Sequence, residues 1–231
     1  MIITVKRVAL YVAILLVPWV LGASADGSVI NFGMTIEFSG GTPPVGAAPW
    51  LTTTMDDGGT PGSVILTLEA TNLTGTEFVS GWYLNLDPSL DPTSLVFSSP
   101  TKTGTFDDPS ISLGTDAYKP DGDGKYDILF GFATSGSGGG SHRFGVGDSV
   151  QYTVTGIGTL VAGSFNFLSS PDGGHGPFFT AAHVQSIGGG EDSGWVAATE
   201  AIMPEPATLS LMVLGLAGWL AAVGRKARQA R

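Results

Sequence analysis

Ile30-Asn31-Phe32-Gly33-Met34-Thr35-Ile36-Glu37-Phe38 places an apolar side chain at every second position, 30, 32, 34, 36 and 38. Successive side chains of an extended chain point to opposite faces, so this period of two predicts a strand with one buried face. The pattern recurs outward from here. Val64, Leu66, Leu68 and Ala70 share a face in a strand expected over 64–72, and Phe78, Trp82, Leu84 and Leu86 point inward over 78–86. Tyr126, Ile128, Phe130 and Phe132 alternate over 126–134, and Val150, Tyr152 and Val154 over 150–157. Shorter strands are expected at 95–98, 111–113, 163–168 (with Phe165 and Phe167 on one face) and 194–198; 178–187 reads as a strand or a short helix.

Between these segments lie Gly/Pro/Asp-rich turns such as Asp87-Pro88, Asp91-Pro92 and the Gly/Ser run 135–141. No stretch of 26–203 carries a 3.6-residue apolar period. The expected fold is therefore all-β, an antiparallel β-sandwich with a jelly roll as its close variant, in one domain over 26–199.

Composition narrows the classes. The 231 residues contain no cysteine, which excludes disulfides, thiolate catalysis and cysteine zinc sites. Glycine occurs 35 times, about twice the usual ~7%, in keeping with many tight turns. Between residues 26 and 203 four basic side chains (Lys102, Lys119, Lys125, Arg143) face nineteen acidic ones, a balance of −15. Nucleic acid is excluded as a partner, because its binding depends on neutralising phosphates. Such acidity keeps an exported domain soluble and suits divalent cations or hydroxyl-rich glycans.

Both ends of the chain carry positive charge beside an apolar run. Met1–Arg7 is a basic n-region, Val8–Gly22 an apolar h-region, and Ala23-Ser24-Ala25 a small-x-small cleavage site for signal peptidase, so 1–25 reads as a signal peptide cut after Ala25. At the other end, residues 207–223 hold no charge, and seventeen residues make roughly 25 Å of helix, near the lower limit for spanning a bilayer. Arg225, Lys226, Arg228 and Arg231 follow as a basic tail, 224–231, that resists translocation and stays in the cytoplasm. A stalk, 200–206, ends in Pro204-Glu205-Pro206, where two residues without an N–H block helix extension and leave an extended, accessible segment outside the membrane.

Pro-Glu-Pro, one transmembrane helix and an Arg-rich C-terminus, in that order, resemble the PEP-CTERM sorting signal of Gram-negative bacteria. The resemblance implies that an exosortase is the processing partner, that the inner membrane is a transient anchor, and that the mature protein reaches the surface or an exopolysaccharide matrix. The body is also similar to those of other PEP-CTERM proteins that have no assigned activity, through Asp121-Gly-Asp-Gly-Lys-Tyr-Asp-Ile128, Phe165-Asn-Phe-Leu168, Gly176-Pro-Phe178 and Ala181-Ala-His-Val-Gln185. It implies no catalysis, and the chain reads as non-enzymatic.

Three local features bear on ligands. Asp121, Asp123 and Asp127 have the i, i+2, i+6 spacing of an oxygen-ligand calcium loop, with Asp116 nearby. Lys125 and Phe132 occupy positions where an EF-hand needs oxygens, so the alternatives are a weak calcium site and a plain turn into the following strand. His142, His175 and His183 lack the spacing of a metal motif and read as loop or surface residues. Trp82 belongs to an apolar strand face and reads as core. Trp50 and Trp195 lie in Gly/Pro-rich sequence and are the candidates for stacking on a sugar. No Gly-x-Ser-x-Gly elbow is present. A carbohydrate- or calcium-binding module is the alternative function; a secreted polysaccharide-acting enzyme is the third.

Overall fold

The computed structural model describes residues 27–135 and 142–202. The expected signal peptide, transmembrane segment and basic tail lie outside the described residues. Within them the chain forms twelve strands, three short 3₁₀ turns and no α-helix. The strands are β1 (Val29–Met34), β2 (Ile36–Glu37), β3 (Leu51–Asp56), β4 (Val64–Glu69), β5 (Phe78–Leu84), β6 (Val96–Thr103), β7 (Ser110–Tyr118), β8 (Tyr126–Gly131), β9 (Phe144–Gly145), β10 (Ser149–Thr155), β11 (Thr180–Ile187) and β12 (Asp192–Ala198).

All pairings are antiparallel and fall into two sheets, the first ordered β1-β3-β4-β10-β6 and the second β2-β12-β11-β5-β8-β7, with β9 also on β5. One large hydrophobic core takes side chains from both: Ile30, Phe32, Met55, Leu66 and Val154 from the first, Trp82, Leu84, Phe130, Val184 and Val196 from the second. A separate cluster holds Phe38, Tyr126, Phe178, Ala181 and Ala197, with Ile36, Tyr83, Tyr118 and Trp195 half-buried against it. Strand alternation puts Tyr83, between the core residues Trp82 and Leu84, on the opposite face of the second sheet. That sheet therefore has an apolar layer on each side.

The 30–38 segment extends over both layers. Its alternation holds, with Ile30, Phe32, Met34 and Phe38 buried and Ile36 half-buried. The ladder breaks at Thr35, where the chain passes from the edge of the first sheet into the second. Ile30, Phe32 and Met34 fill the main core, whereas Ile36 and Phe38 join the second cluster.

The structure departs from the expected elements at 51–56, 95–98, 111–113 and 163–168, and decides between the two alternatives at 178–187. Leu51–Asp56 is a strand that the hydropathy pattern did not signal. The segments expected as short strands at 95–98 and 111–113 are eight- and nine-residue strands, 96–103 and 110–118. Residues 163–168 form no strand: Ala162–Phe165 is a 3₁₀ turn that buries Phe165. The 180–187 segment is a strand, with Ser186 left unpaired in the step between its Gln185 and Ile187 pairings to β12. The Gly/Ser tip lies mostly outside the described residues.

Ordering at the loop end depends on Asp57. Its carboxylate accepts from the N–H groups of Ser28 (2.7 Å), Gly59 (3.0 Å) and Ala162 (3.1 Å). Burial pushes the carboxyl up, but these three amide bonds prevail and hold it below the usual range.

Candidate functional site

Two places bear on function: the point where the chain leaves the body and the outer layer of the second sheet. At the first, β12 runs antiparallel to β2, pairing Val196 with Glu37 and Ala197 with Ile36. Four residues after β12, in the same register, Ile202 pairs with Asn31 of β1. The Asn31 N–H donates to the Ile202 carbonyl at 2.9 Å and the Ile202 N–H to the Asn31 carbonyl at 2.8 Å. The segment that follows the last strand, β12, is thereby tied to β1 at the edge of the first sheet. Ala201 packs on the main core while the Ile202 side chain is 56% exposed. Backbone pairing thus reaches into the 200–206 stretch expected as a stalk.

The residues beyond Ile202 decide the reading of this end. Residues 204–226 match the family model for the PEP-CTERM protein-sorting motif. The chain carries a PEP-CTERM sorting signal. The motif implies an exported protein processed by an exosortase. Pro204, Glu205, Pro206, Arg225 and Lys226 fall inside the match, and Arg228 and Arg231 just beyond it. All of these, like Ala23 and Ala25 of the expected signal-peptidase site, lie outside the described residues. No curated protein and no solved structure matches the chain. Among the described residues no helix is long and apolar enough to cross a membrane.

In the body ahead of the motif the aspartates of the candidate calcium loop do not share partners. Asp123 faces the 172–176 loop. Its Oδ1 accepts from the N–H groups of Gly174 and His175, the latter at 3.0 Å, and its Oδ2 lies 2.7 Å from His175 Nδ1. The His175 side chain, with these amides, holds the Asp123 carboxyl below its usual range. Gly173 is required there: it sits at φ +121°, and a Cβ would overlap the Asp123 carboxylate. Asp127 turns to other groups, accepting from the N–H of Leu86 (2.9 Å) and of Asp116 (2.8 Å), and burial raises its carboxyl above the usual range. Asp121 sits at φ +44° in an exposed 3₁₀ turn. Lys119 and Lys125 both reach Asp172, at 3.0 and 3.4 Å. The cluster fastens the 116–127 segment to the 169–176 loop. Among the described residues no three His, Asp or Glu side chains converge as a metal site.

The histidines have separate partners. His142 Nδ1 is 2.8 Å from Asp107 Oδ1, His175 engages Asp123, and His183 Nδ1 is 2.9 Å from Ser80 Oγ. Burial lowers the His183 pKa.

Of the tryptophans, Trp82 is core as expected, its indole N–H reaching Thr53 Oγ1 (3.0 Å) and Thr180 Oγ1 (3.2 Å). Trp50 is not free to stack: it is 8% exposed and donates to the Gly46 carbonyl at 2.6 Å. Trp195 lies on β12 and not in a loop. Its ring is stacked on His183 at 4.3 Å and 13°, with the tilted Tyr83 ring 5.8 Å away. Tyr83 in turn lies 5.8 Å from Tyr126, and its ring passes over the bare Cα of Gly81. Three half-buried rings, Trp195, His183 and Tyr83, thus cross the outer layer and end on the fully buried Tyr126. Beyond these rings opens a polar cavity of about 340 Å³ lined by Gln185, Ser193, Glu191 and by Arg143, whose guanidinium lies 4.1 Å above the Phe78 ring. Linear sequence could mark Trp195, but the spacing of His183, Tyr83 and Gln185 hides their adjacency.

Proposed function

We propose that this chain is a non-enzymatic exported protein whose β-sandwich body is delivered by an exosortase to the cell surface or an exopolysaccharide matrix, as in biofilm. Signal peptidase removes 1–25. The 207–223 segment then holds the body on the outer side of the inner membrane, with Arg225, Lys226, Arg228 and Arg231 in the cytoplasm, until processing near Pro204–Pro206. The sorting match carries this reading: it begins two residues after the last backbone pair of the body. A scaffold role is supported by the use of the buried and half-buried carboxylates. Asp57, Glu77, Asp123 and Asp127 each accept from at least two backbone amides. Deleting residues 204–231 and fractionating the cells tests the reading. Sorting predicts loss of the surface fraction with the body released to periplasm or medium; unchanged surface display contradicts it.

The outer aromatic layer favours a second reading, a carbohydrate-binding module. Half-exposed rings offer flat apolar surface to the C–H faces of pyranose rings, and the adjoining amide, hydroxyl and guanidinium groups suit their hydroxyls. The acidity of the body favours a neutral chain over a uronate-rich one. Retardation in gels containing a neutral β-glucan, lost on Trp195→Ala, is the expected result. Equal mobility with and without the glucan rejects this reading and leaves the scaffold.

A further inference from the structure

We infer that the Asn31–Ile202 bridge is a clamp on the sorting signal, and that it opens before an exosortase can process the chain. The inference rests on the sorting reading and adds a conformational step to it.

The tether between body and membrane is short. Ile202 is held to Asn31 by two backbone hydrogen bonds, and the apolar segment begins at residue 207. Only four residues, 203–206, separate them. Five residue steps reach at most roughly 18 Å when fully extended. The headgroup zone of one leaflet takes up about 5–8 Å of that. With the bridge closed, roughly 10 Å remains between the folded body and the lipid, about the spacing of two packed β-sheets. A peptidase that binds its substrate as an extended strand needs room on both sides of several residues, and the motif itself fills this gap.

Opening the bridge changes the geometry. The next backbone tie inward is the Ala198 carbonyl, which accepts from the Phe179 N–H. Release therefore frees 199–202, and nine steps to residue 207 reach roughly 30 Å. The clamp is built to open. It is one isolated pair at a sheet edge; Thr199, Glu200 and Ile202 are exposed, and of the freed residues Ala201 alone packs on the core, partly buried.

The register limits how far the clamp can extend. An antiparallel ladder repeats its hydrogen-bonded pairs every two residues. The next such pair beyond Asn31–Ile202 would set Val29 opposite residue 204. That pair needs an N–H, and Pro204 has none. The first residue of the motif therefore prevents the exposed edge of β1 from pairing with the signal at that position. Prolines at sheet edges limit pairing in the same way.

The test uses the full chain in a producing cell, with processing read from the C-terminal mass of the exported protein. The chain has no cysteine, so Asn31→Cys with Ile202→Cys forms one defined pair, and directly opposed residues of such a ladder lie within disulfide reach. The oxidised variant is expected to be processed at least tenfold more slowly than wild type, and a reducing agent to restore the rate. Inserting six Gly/Ser residues between Met203 and Pro204 is expected to restore processing with the disulfide intact. Asn31→Pro, which removes the edge-facing donor and also the acceptor of the Thr54 hydroxyl, is expected to speed processing two- to fivefold relative to Asn31→Ala, which loses the side-chain bond alone. Processing of the oxidised variant at the wild-type rate overturns the clamp while leaving sorting in place. A wild-type protein that always keeps residues 207–231 overturns sorting and the clamp together.

Discussion

The two faces of the second sheet bury aromatic rings to different ends. On the inner face Trp82 is fully buried, both acceptors of its indole N–H are threonines, and its ring meets Phe144 edge-on at 6.2 Å. On the outer face Trp195 is only partly buried, and its nearest ring is a histidine. Burial of apolar area is what drives folding, so a ring sealed on all sides is tied to stability. Rings left half-open beside a polar cavity contribute less to stability and remain free to meet something else. Similar residue types on one sheet thus divide between folding and contact.

The largest expected effect breaks the inner face. Trp82→Ala removes the most voluminous fully buried side chain and leaves two threonine hydroxyls without their donor. A loss of about 4 kcal/mol is expected from the transfer and cavity terms together, read as a fall in the denaturant midpoint at unchanged slope. Trp195→Ala on the outer face should cost less, about 1–2 kcal/mol, because its ring is only partly buried. Equal losses at the two sites would abolish the distinction between the faces.

Acid should sharpen the contrast between the stapled periphery and the core. The carboxyls of Asp57, Asp123 and Asp172 are held below their usual range by amide, His175 and lysine contacts. A depressed carboxyl stabilises the fold above its unfolded pKa near 4, and that contribution disappears as pH falls through the lower folded value. His183, also lowered, withdraws a smaller contribution earlier, below about pH 6.5. Asp127 and Asp148 are raised by burial and act in the opposite sense, favouring the fold when protonated. The melting temperature should therefore decline slightly below pH 6.5 and steeply between about pH 4 and 2. Replacing Asp123 by Asn should flatten the steep part. A melting temperature that rises through this range would contradict the sign.

Calcium gives the smallest expected effect. We propose that the body needs no metal, since Asp123 and Asp127 are engaged with different partners and Asp121 is exposed in a turn. Millimolar calcium should leave the melting temperature of wild type and of Asp123→Asn each within about a degree of its own metal-free value; stabilisation by RT ln(1 + [L]/Kd) would appear as a larger rise. A rise lost in Asp123→Asn would restore the calcium loop.

How far the sequence revealed all this depended on whether each signal was linear. The strands at 30–38, 64–70 and 150–154 were legible because one face is buried and the other wet. Leu51–Asp56 was hidden by Thr53, which is fully buried as the hydrogen-bond partner of Trp82 and so breaks the apolar alternation. The strands at 96–103 and 110–118 end their sheets, and few of their side chains are buried, so no alternation marked their length. At 163–168 two phenylalanines spaced by two resemble a strand, yet Phe165 enters the core from a 3₁₀ turn. The sorting motif is contiguous and was readable outright. The Asn31–Ile202 pair and the Trp195–His183 stack join residues distant in sequence or on neighbouring strands, and no local pattern announces either.

The central claim is that a folded β body is exported and then separated from its apolar C-terminal segment. Intact mass of the protein recovered from the cell exterior tests it most directly. The account predicts a species lacking residues 1–25 and ending near Pro204–Pro206; exported molecules that all extend to Arg231 would contradict it.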